Sequence, residues 1–350
     1  MKKYTFFLAC ILLSFCTSCR DIGKLVDQNK SHSYFIDSKE KIVYCPGGSW
    51  FGSGVTSMDF ADPKSFQVLA EDLAKDKDSV YYREKAQDIA VDIPSFHFKD
   101  NIMKDRLHVF YNFKGSIYAI TGADPQTYEI IKNHKEWARD KNHYFYAGVK
   151  VPADYKTFAF VNDYFVKDKD SVLVLHNTGN FKTVLPNTGN VESVSKYYIK
   201  AGNTIYYPPL GNDSNVVAKK FNTLDNIRVI NPNLISINNK TILSSGKNFK
   251  YDQVDAGSFQ LFPVDKDKYA YESSSYSKDK NNVYYDEEVI PDADTRTFII
   301  MGDYFGKDAK NVYYKKQLLK GVDAPSFNKD GNFYKDKLGN KFSALGGNKV

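Results

Sequence analysis

The sequence predicts a mainly β protein of tandem β-hairpin repeats with one short helical turn per unit, stacked as an elongated or spiral array. Two recurring phrases predict this fold, because they alternate along the chain and keep register with each other. The first is a seven-residue Asp-Lys phrase that begins at Asp76, Asp105, Asp140, Asp168, Asp279 and Asp308. The second is a Ser/Thr phrase, Asp-x-x-[Ser/Thr]-[Phe/Tyr], that begins at Asp62, Asp92, Asp124, Asp154, Asp255, Asp294 and Asp323. The unit is about 28 to 35 residues long, and repeats of this length bury their apolar faces only against their neighbours.

The Asp-Lys phrase predicts a hairpin. In residues 304–314 an aromatic run meets a polar turn of four residues and continues as a β-branched and aromatic run, which is a hairpin pattern. Aspartate suits the first turn position because its carboxylate accepts nearby backbone N–H bonds, and the asparagine near the end tolerates a left-handed backbone. In the Tyr-Tyr pair that follows, one ring must face the core and the other must face outward.

The Ser/Thr phrase predicts a single helical turn. Its aspartate caps the turn, proline often follows, the Ser or Thr lies on the exposed side, and the aromatic residue points into the core. A short extended run comes next, so each unit is expected to contain two or three short strands and one tight turn. A propeller-like ring is the alternative architecture, but the unit is shorter than a usual four-stranded blade and the open array is favoured.

The first eighteen residues predict an export signal. Two lysines precede an apolar stretch at 4–15, which is too short to span a bilayer as a helix. The small residues ahead of Cys19 resemble a bacterial lipobox, so we expect a lipoprotein signal peptide and acylation of Cys19. Palmitate is an expected acyl chain, and its incorporation can be followed with a label. The expected location is the cell envelope, anchored to a bacterial membrane, which is the outer membrane in a Gram-negative cell. Because Cys16 stands where a lipobox usually has Leu, a free secreted chain is the alternative.

Charge and cysteine content limit the remaining possibilities. Removing the leader takes away two lysines and no acidic residue, which lowers the formal net charge from +6 to +4. This mixed surface excludes a nucleic-acid partner. The mature chain keeps Cys19 and Cys45, which could form a disulfide only if Cys19 carries no lipid. Otherwise Cys45 is expected to be a small, half-buried strand residue.

The phrase Asp-Lys-Asn-Asn-Val-Tyr-Tyr, with its Ala-Asp-x-x-Thr-Phe companion, resembles the DKNYY family of bacterial repeat proteins. The likeness covers roughly residues 60–175 and 255–345. It implies an exported or lipid-anchored protein, and because the family has no established biochemical activity, no functional residues can be carried over from it. The predicted organisation is a signal peptide at 1–18, an N-terminal cap or degenerate repeat at 19–60, repeats at 61–174, degenerate repeats with irregular loops at 175–250, and repeats with a C-terminal cap at 251–350.

No catalytic, cofactor-binding or metal-binding residue is predicted. The Asp-x-Asp and Asp-x-Asn openings of the Asp-Lys phrase lack the glycine and the glutamate that complete a calcium loop, and turn geometry explains them. The six histidines form no His-x-x-x-His pair. The glycine-rich loop at 47–54 lacks the Lys-Ser/Thr ending of a phosphate loop.

We expect a non-enzymatic cell-envelope lipoprotein whose repeats present a binding or structural surface to an unknown protein or glycan. Aromatic side chains suit such contacts. The candidate partner-contact residues are Trp50, Phe51, Tyr82, Tyr285 and Tyr314. The competing interpretation of the tyrosines is that neighbouring units cover their rings. Lysines of the Asp-Lys phrase, such as Lys77 and Lys280, are expected to keep strand edges from pairing.

Two other function classes stay open at this stage. An envelope enzyme acting on glycan or peptide would need paired acids, and the irregular 175–250 segment offers Asp213, Glu192 and Asp225. A protective, immunity-type protein would bind one protein partner through an aromatic patch limited to a few units.

Overall fold

The computed structural model describes residues 22–48, 54–134, 136–175, 181–208, 216–245, 254–262, 275–302 and 304–350. The predicted signal peptide, Cys19, Trp50, Phe51 and Asp213 lie outside these ranges. In the described residues the secondary structure is β-strand and turn, with short 3₁₀ turns at Pro46–Gly48 and Ala324–Ser326. The prediction of a mainly β repeat protein is confirmed. The chain divides into two compact units, an N-terminal unit (Met1–Tyr155) and a C-terminal unit (Lys156–Val350), and each of them contains several repeat units.

The described part of the N-terminal unit holds four antiparallel sheets, numbered here in chain order, and each strand pairs with the next along the chain. Sheet 1 contains β1 (Lys24–Leu25), β2 (Tyr34–Ile36), β3 (Ile42–Tyr44) and β4 (Thr56–Ser57). Sheet 2 contains β5 (Gln67–Ala70), β6 (Leu73–Lys75), β7 (Val80–Tyr82) and β8 (Lys85–Ala86). Sheet 3 contains β9 (His97–Lys99), β10 (Ile102–Lys104), β11 (Val109–Phe113) and β12 (Ser116–Ala119). Sheet 4 contains β13 (Glu129–Ile130), β14 (Trp137–Arg139), β15 (Tyr144–Tyr146) and β16 (Val149–Lys150).

The described part of the C-terminal unit holds six further sheets of the same meander type. Sheet 5 contains β17 (Ala159–Phe160), β18 (Phe165–Lys167), β19 (Ser171–Leu175) and β20 (Phe181–Pro186); sheet 6 contains β21 (Val191–Ser193), β22 (Ile199–Ala201), β23 (Thr204–Tyr207) and β24 (Val217–Lys220). Sheet 7 contains β25 (Ile227–Asn231), β26 (Leu234–Ile237) and β27 (Thr241–Ser244); sheet 8 contains β28 (Gln260–Leu261), β29 (Tyr276–Lys278), β30 (Val283–Tyr285) and β31 (Glu288–Val289). Sheet 9 contains β32 (Ile299–Gly302), β33 (Phe305–Lys307), β34 (Val312–Tyr314) and β35 (Gln317–Leu318); sheet 10 contains β36 (Asn328–Asp330), β37 (Phe333–Lys335) and β38 (Lys341–Ser343).

Most sheets have four strands, so the expectation of two or three strands per unit was wrong. The fourth strand is the one that was missed, because in most repeats it is only two residues long, as in β8 and β31. A strand of two residues has no alternating pattern to recognise in the sequence. Each sheet is open, with its first and last strands at the edges.

The two phrases occupy fixed places in the sheets. The Asp-Lys phrase forms the turn between the second and third strands, where Lys75 pairs with Val80 across a four-residue loop. The Ser/Thr phrase forms a helical turn before the first strand, as shown by the N–H of Phe96 bonding to the C=O of Asp92 at 3.0 Å. The predicted left-handed residue lies elsewhere: positive φ occurs at Asp286 (53°) and Lys315 (55°), in the turn between the third and fourth strands.

Apolar cores lie between consecutive sheets of a unit. In one cluster Leu73 and Val80 of sheet 2 pack with Phe110 and Ile117 of sheet 3. In another, Phe305 and its sheet 9 neighbours pack with aromatic residues of sheet 10. The residues shared between sheets are therefore the β-branched and first aromatic positions of the Asp-Lys phrase, as expected of units that cannot bury their faces alone.

Cys45 follows β3 and is fully buried beside Phe35 and Val43, more deeply than expected. Burial raises the pKa of its thiol. Across the described ranges, no helix combines the length and the apolar character needed to cross a membrane.

Candidate functional site

The two ends of a regular sheet differ in chemistry, and a buried carboxylate organises the first end in sheets 2–5 and 8–10. Asp76 begins the Asp-Lys phrase of sheet 2 and is 3% exposed. Its Oδ1 accepts hydrogen bonds from the backbone N–H groups of Asp78 (2.8 Å) and Ser79 (2.7 Å). Its Oδ2 accepts from the backbone N–H of Asp62 (2.9 Å) and from the Tyr81 hydroxyl (2.6 Å). Burial works to raise the pKa of Asp76, but these hydrogen bonds outweigh it and the pKa is lowered.

The equivalent carboxylate joins the two phrases in five further units. The backbone N–H of the Ser/Thr-phrase aspartate donates to the buried aspartate over 2.7–3.1 Å; the pairs are Asp92 with Asp105, Asp124 with Asp140, Asp255 with Asp279, Asp294 with Asp308, and Asp323 with Asp336. The sequence predicted a bend at the aspartate but neither its burial nor this link. The Asp336 copy, in the phrase DKLGN, was not recognised at all.

The Ser/Thr residue and the lysine of the Asp-Lys phrase belong to the same network. Ser258 donates its hydroxyl to the carboxylate of Asp255 (2.7 Å) and accepts from the backbone N–H of Lys280 (3.0 Å). The Lys280 ammonium lies 2.7 Å from the Asp255 carboxylate. The hydrogen bond from Lys280 is the largest cause, and those from Ser258 are the next largest, of the lowering of the pKa of Asp255 to about 2. Lys280 therefore pairs with the preceding turn, which is a more specific contact than the edge protection predicted for it.

The fourth contact of the buried carboxylate changes in step with the sequence. In sheet 8, as in sheet 2, a tyrosine hydroxyl reaches it, since Tyr284 donates to Asp279 at 2.7 Å. In sheets 3 and 4 that tyrosine is replaced by phenylalanine, and a histidine two residues earlier approaches the carboxylate. His108 Nδ1 lies 3.4 Å from Asp105, and His143 Nδ1 lies 3.5 Å from Asp140.

A lysine immediately before the Asp-Lys phrase links several units to the next. The Lys75 ammonium donates to the backbone C=O groups of Ile93 (2.9 Å) and Phe96 (2.7 Å) in the helical turn of the following unit. Lys307 reaches Ala324 and Phe327 in the same way, at 2.9 and 2.8 Å. Burial lowers the pKa of both lysines. The sequence carries part of this signal, because Lys or Arg precedes every copy of the buried aspartate, but Arg139 and Lys335 pair with acidic residues of their own sheets.

The opposite end of each sheet carries the turns between strands one and two and between strands three and four. The candidate residues Tyr82, Tyr285 and Tyr314 end the third strands there and are half-buried. The ring of Tyr82 lies 3.7 Å from the point that a Cβ on Gly115 of the next unit would occupy, and the ring of Tyr314 lies 2.5 Å from the equivalent point on Gly347. Burial raises the pKa of Tyr285 to about 12. Neighbouring segments therefore cover part of these outward rings.

Cavities open between consecutive sheets. The cavity between sheets 2 and 3 has a volume of about 460 Å³ and is lined by residues 82–88 and 114–117. The cavity between sheets 3 and 4, about 220 Å³, is lined by Tyr111, Tyr128, Trp137 and Glu136. The cavity between sheets 5 and 6, also about 220 Å³, is more aliphatic. The first two lie at the turn end of their sheets, away from the buried aspartates.

The acids considered for catalysis fall on exposed positions where the structure describes them. Glu192 lies on β21 with its side chain exposed. Asp225 accepts a hydrogen bond from the Thr223 hydroxyl in an exposed turn. Within the described ranges, no group of three His, Cys, Asp or Glu side chains is placed to hold a metal ion.

These features define a class of protein: a tandem array of short antiparallel meanders, of which seven in the described residues carry a buried aspartate in the turn between their second and third strands. The family model for the DKNYY family matches residues 82–149 and 148–301, which together exceed half of the chain. The chain therefore belongs to the DKNYY family, as the two phrases predicted. No curated protein and no solved structure shows significant similarity to it.

Proposed function

We propose that this chain is a non-enzymatic lipoprotein of the bacterial cell envelope that binds a partner through the turn end of its sheets. The observation that carries the proposal is the chemical difference between the two ends of the sheets. At the Asp-Lys end, the carboxylates, hydroxyls and lysines bond to one another and leave little hydrogen-bonding capacity for a ligand. At the turn end, grooves between sheets combine aromatic rings with charged groups, a composition typical of binding surfaces.

The groove between sheets 2 and 3, with a volume of about 460 Å³, is one of these surfaces. The Arg83 guanidinium lies 5.5 Å from the centre of the Tyr82 ring, and the Lys114 ammonium lies 5.2 Å from the centre of the Phe113 ring. Phe113 is 54% exposed, and the Lys85 side chain is exposed as well. Cations held over aromatic rings give a rigid, amphipathic surface that favours a protein partner.

A position-specific crosslinking experiment in cells tests the binding surface. A photoreactive amino acid replaces Lys85 in the groove, and a matched variant carries it at Asp78, which is exposed at the Asp-Lys end of the same sheet. We expect partner adducts from position 85 and few from position 78. Equal adducts from both positions would exclude the turn end as the specific surface, and release of a processed glycan or peptide by the purified protein would favour an envelope enzyme.

The membrane anchor is tested separately. Export and acylation are proposed from the leader sequence and Cys19, which lie outside the described residues. Cells expressing the wild type are labelled with a palmitate analogue, beside a Cys19→Ala variant and a Cys45→Ala control. We expect label in the wild type and in the Cys45→Ala control only. Label that persists in the Cys19→Ala variant would overturn the assignment of the anchor.

A further inference from the structure

The cavity between sheets 3 and 4 is built from residues of both sheets. Tyr111 belongs to β11, the third strand of sheet 3, while Tyr128 ends the helical turn that leads into sheet 4. Glu136 and Trp137 lie at the start of β14, and Gly148 closes the cavity from the turn between β15 and β16. The volume of about 220 Å³ suits one small chemical group with a few attached carbons.

The aromatic walls of the cavity are held in place before any ligand arrives. Gly148 has φ of +76°, and a Cβ at this position would lie 2.8 Å from the ring of Tyr111, so the ring lies directly against the backbone. Trp137 meets Tyr146 edge to face, with ring centres 5.2 Å apart. Tyr128 packs on Phe145 at 5.4 Å. A preformed pocket loses little conformational entropy on binding.

One carboxylate in this pocket forms no ion pair within the part of the chain that the structure describes. Glu136 accepts a hydrogen bond from the Tyr111 hydroxyl at 3.2 Å. Burial, and then the charge of Glu136, raise the pKa of Tyr111 to about 12. No described residue forms an ion pair with Glu136, whereas Glu129 on the same sheet is paired with Arg139 at 2.7 Å.

We propose that this pocket binds an alkylammonium group, presented either by a lysine side chain of a protein partner or by a small amine. The half-buried rings of Tyr111 and Tyr128 and a carboxylate that forms no ion pair with a described residue both attract a cation that carries alkyl groups. Stacking of a sugar on Trp137 is disfavoured, because this side chain is only 6% exposed. The inference rests on the proposed binding function and names the chemistry recognised at one of its grooves.

Binding of defined probes to the purified mature chain tests this assignment. Calorimetry at neutral pH compares N-acetyl-lysine methylamide, tetramethylammonium and the uncharged sugar N-acetylglucosamine. We expect both cations to bind, with an affinity that falls as salt is added, and the sugar not to bind. Tighter binding of the lysine derivative identifies a protein side chain as the source, and tighter binding of tetramethylammonium identifies a small amine.

Two variants locate the site. Glu136→Gln keeps the shape of the side chain and an oxygen for the Tyr111 hydroxyl but removes the charge, so the affinity for the cations should fall about tenfold or more. Glu129→Gln, the matched control on the same sheet, should leave it unchanged. Equal binding by both variants, tighter binding of the sugar, or no binding of either cation would overturn the inference. If crosslinks from position 85 persist while the cations fail to bind, the general binding function stands and only this pocket is wrongly assigned.

Discussion

Replacing Asp76 with alanine should destabilise the N-terminal unit far more than replacing Asp78, although the two aspartates lie in the same turn. Asp76 is buried and its carboxylate accepts four hydrogen bonds. Asp78 is exposed, and only its backbone N–H enters the network. The pair therefore separates the effect of the buried carboxylate from the general effect of removing a negative charge from this turn.

The magnitude follows from the donors that Asp76→Ala leaves behind. The Tyr81 hydroxyl is buried and the backbone N–H of Asp62 lies at the joint between the two phrases, and each such donor costs about 1–3 kcal/mol when its acceptor is removed. The N–H groups of Asp78 and Ser79 lie near the surface of the turn, where water can replace the carboxylate. Removing the carboxylate also removes the cost of desolvating it. We therefore expect the free energy of unfolding to fall by about 3 kcal/mol. Asp78→Ala should change the stability by about 0.5 kcal/mol or less.

Hydrogen exchange on the full mature chain, followed by mass spectrometry, is the suitable assay, because repeat proteins lose stability locally. A loss of about 3 kcal/mol corresponds to roughly a hundredfold faster exchange. It should appear in peptides covering the Ser/Thr phrase and β5 to β7 of sheet 2, while peptides from sheet 10 keep their protection. Similar exchange in the two variants, or faster exchange confined to the turn itself, would refute the idea that the carboxylate joins the two phrases.

The remaining predictions concern the other contacts of the same network. Lys307→Ala should destabilise the following helical turn by about 1.5–3 kcal/mol, because a charged donor to two carbonyl groups is lost. The control is Lys335→Ala, whose ammonium pairs only with an exposed aspartate, and in urea titrations its stability should differ little from that of the wild type. Equal losses of stability in the two variants would contradict the proposed link between units. His108→Asn should destabilise sheet 3 by about 1 kcal/mol. Adding Phe110→Tyr should restore the stability, because the new hydroxyl occupies the place that the tyrosine hydroxyl has in sheet 2. Failure of this rescue in the same titrations would show that the two arrangements are not equivalent. Hydrogen bonds that outweigh the opposing effect of burial lower the pKa of Asp76. The contribution of Asp76 to stability is therefore complete above the unfolded-state pKa of about 3.9 and is lost as the pH falls through the lower folded-state pKa. Circular dichroism during acid titration should show this loss, and a stability that stays constant down to about pH 2 would contradict it.

Local pattern was enough to predict most of the fold. The turn at 76–79 and the aromatic run after it could be recognised as a hairpin because turn residues and strand residues alternate within seven positions. The helical turn at 92–96 was equally local. The fourth strand was missed because Lys85–Ala86 has no pattern of its own and pairs only because the turn before it reverses the chain.

The contacts between phrases and between units could not be predicted in the same way. A buried aspartate such as Asp105 has the same sequence signature as an exposed turn aspartate, and only the packing of the helical turn against it removes it from water. The pocket between sheets 3 and 4 has no sequence signature, because Tyr111 and Trp137 come from different units. Tyr82 was predicted from its outward position, and the structure adds that a turn of the next unit lies against its ring.

The geometry of the meander explains how one chain can repeat a motif so strictly and still carry a specific surface. The Asp-Lys turn and the turn between strands three and four lie at opposite ends of strands of about three residues, which places them roughly 10 Å apart. At one end, the loss of the buried aspartate from a regular unit leaves buried donors without their acceptor, so these units repeat it, whereas sheets 6 and 7 carry glycine and asparagine in the same turn. At the other end, substitutions alter only exposed side chains and the grooves between sheets. Differences between units at exposed positions, such as Arg83 in one turn and Lys315 in another, therefore cost little stability, and they are the residues through which a partner could distinguish one groove from the next.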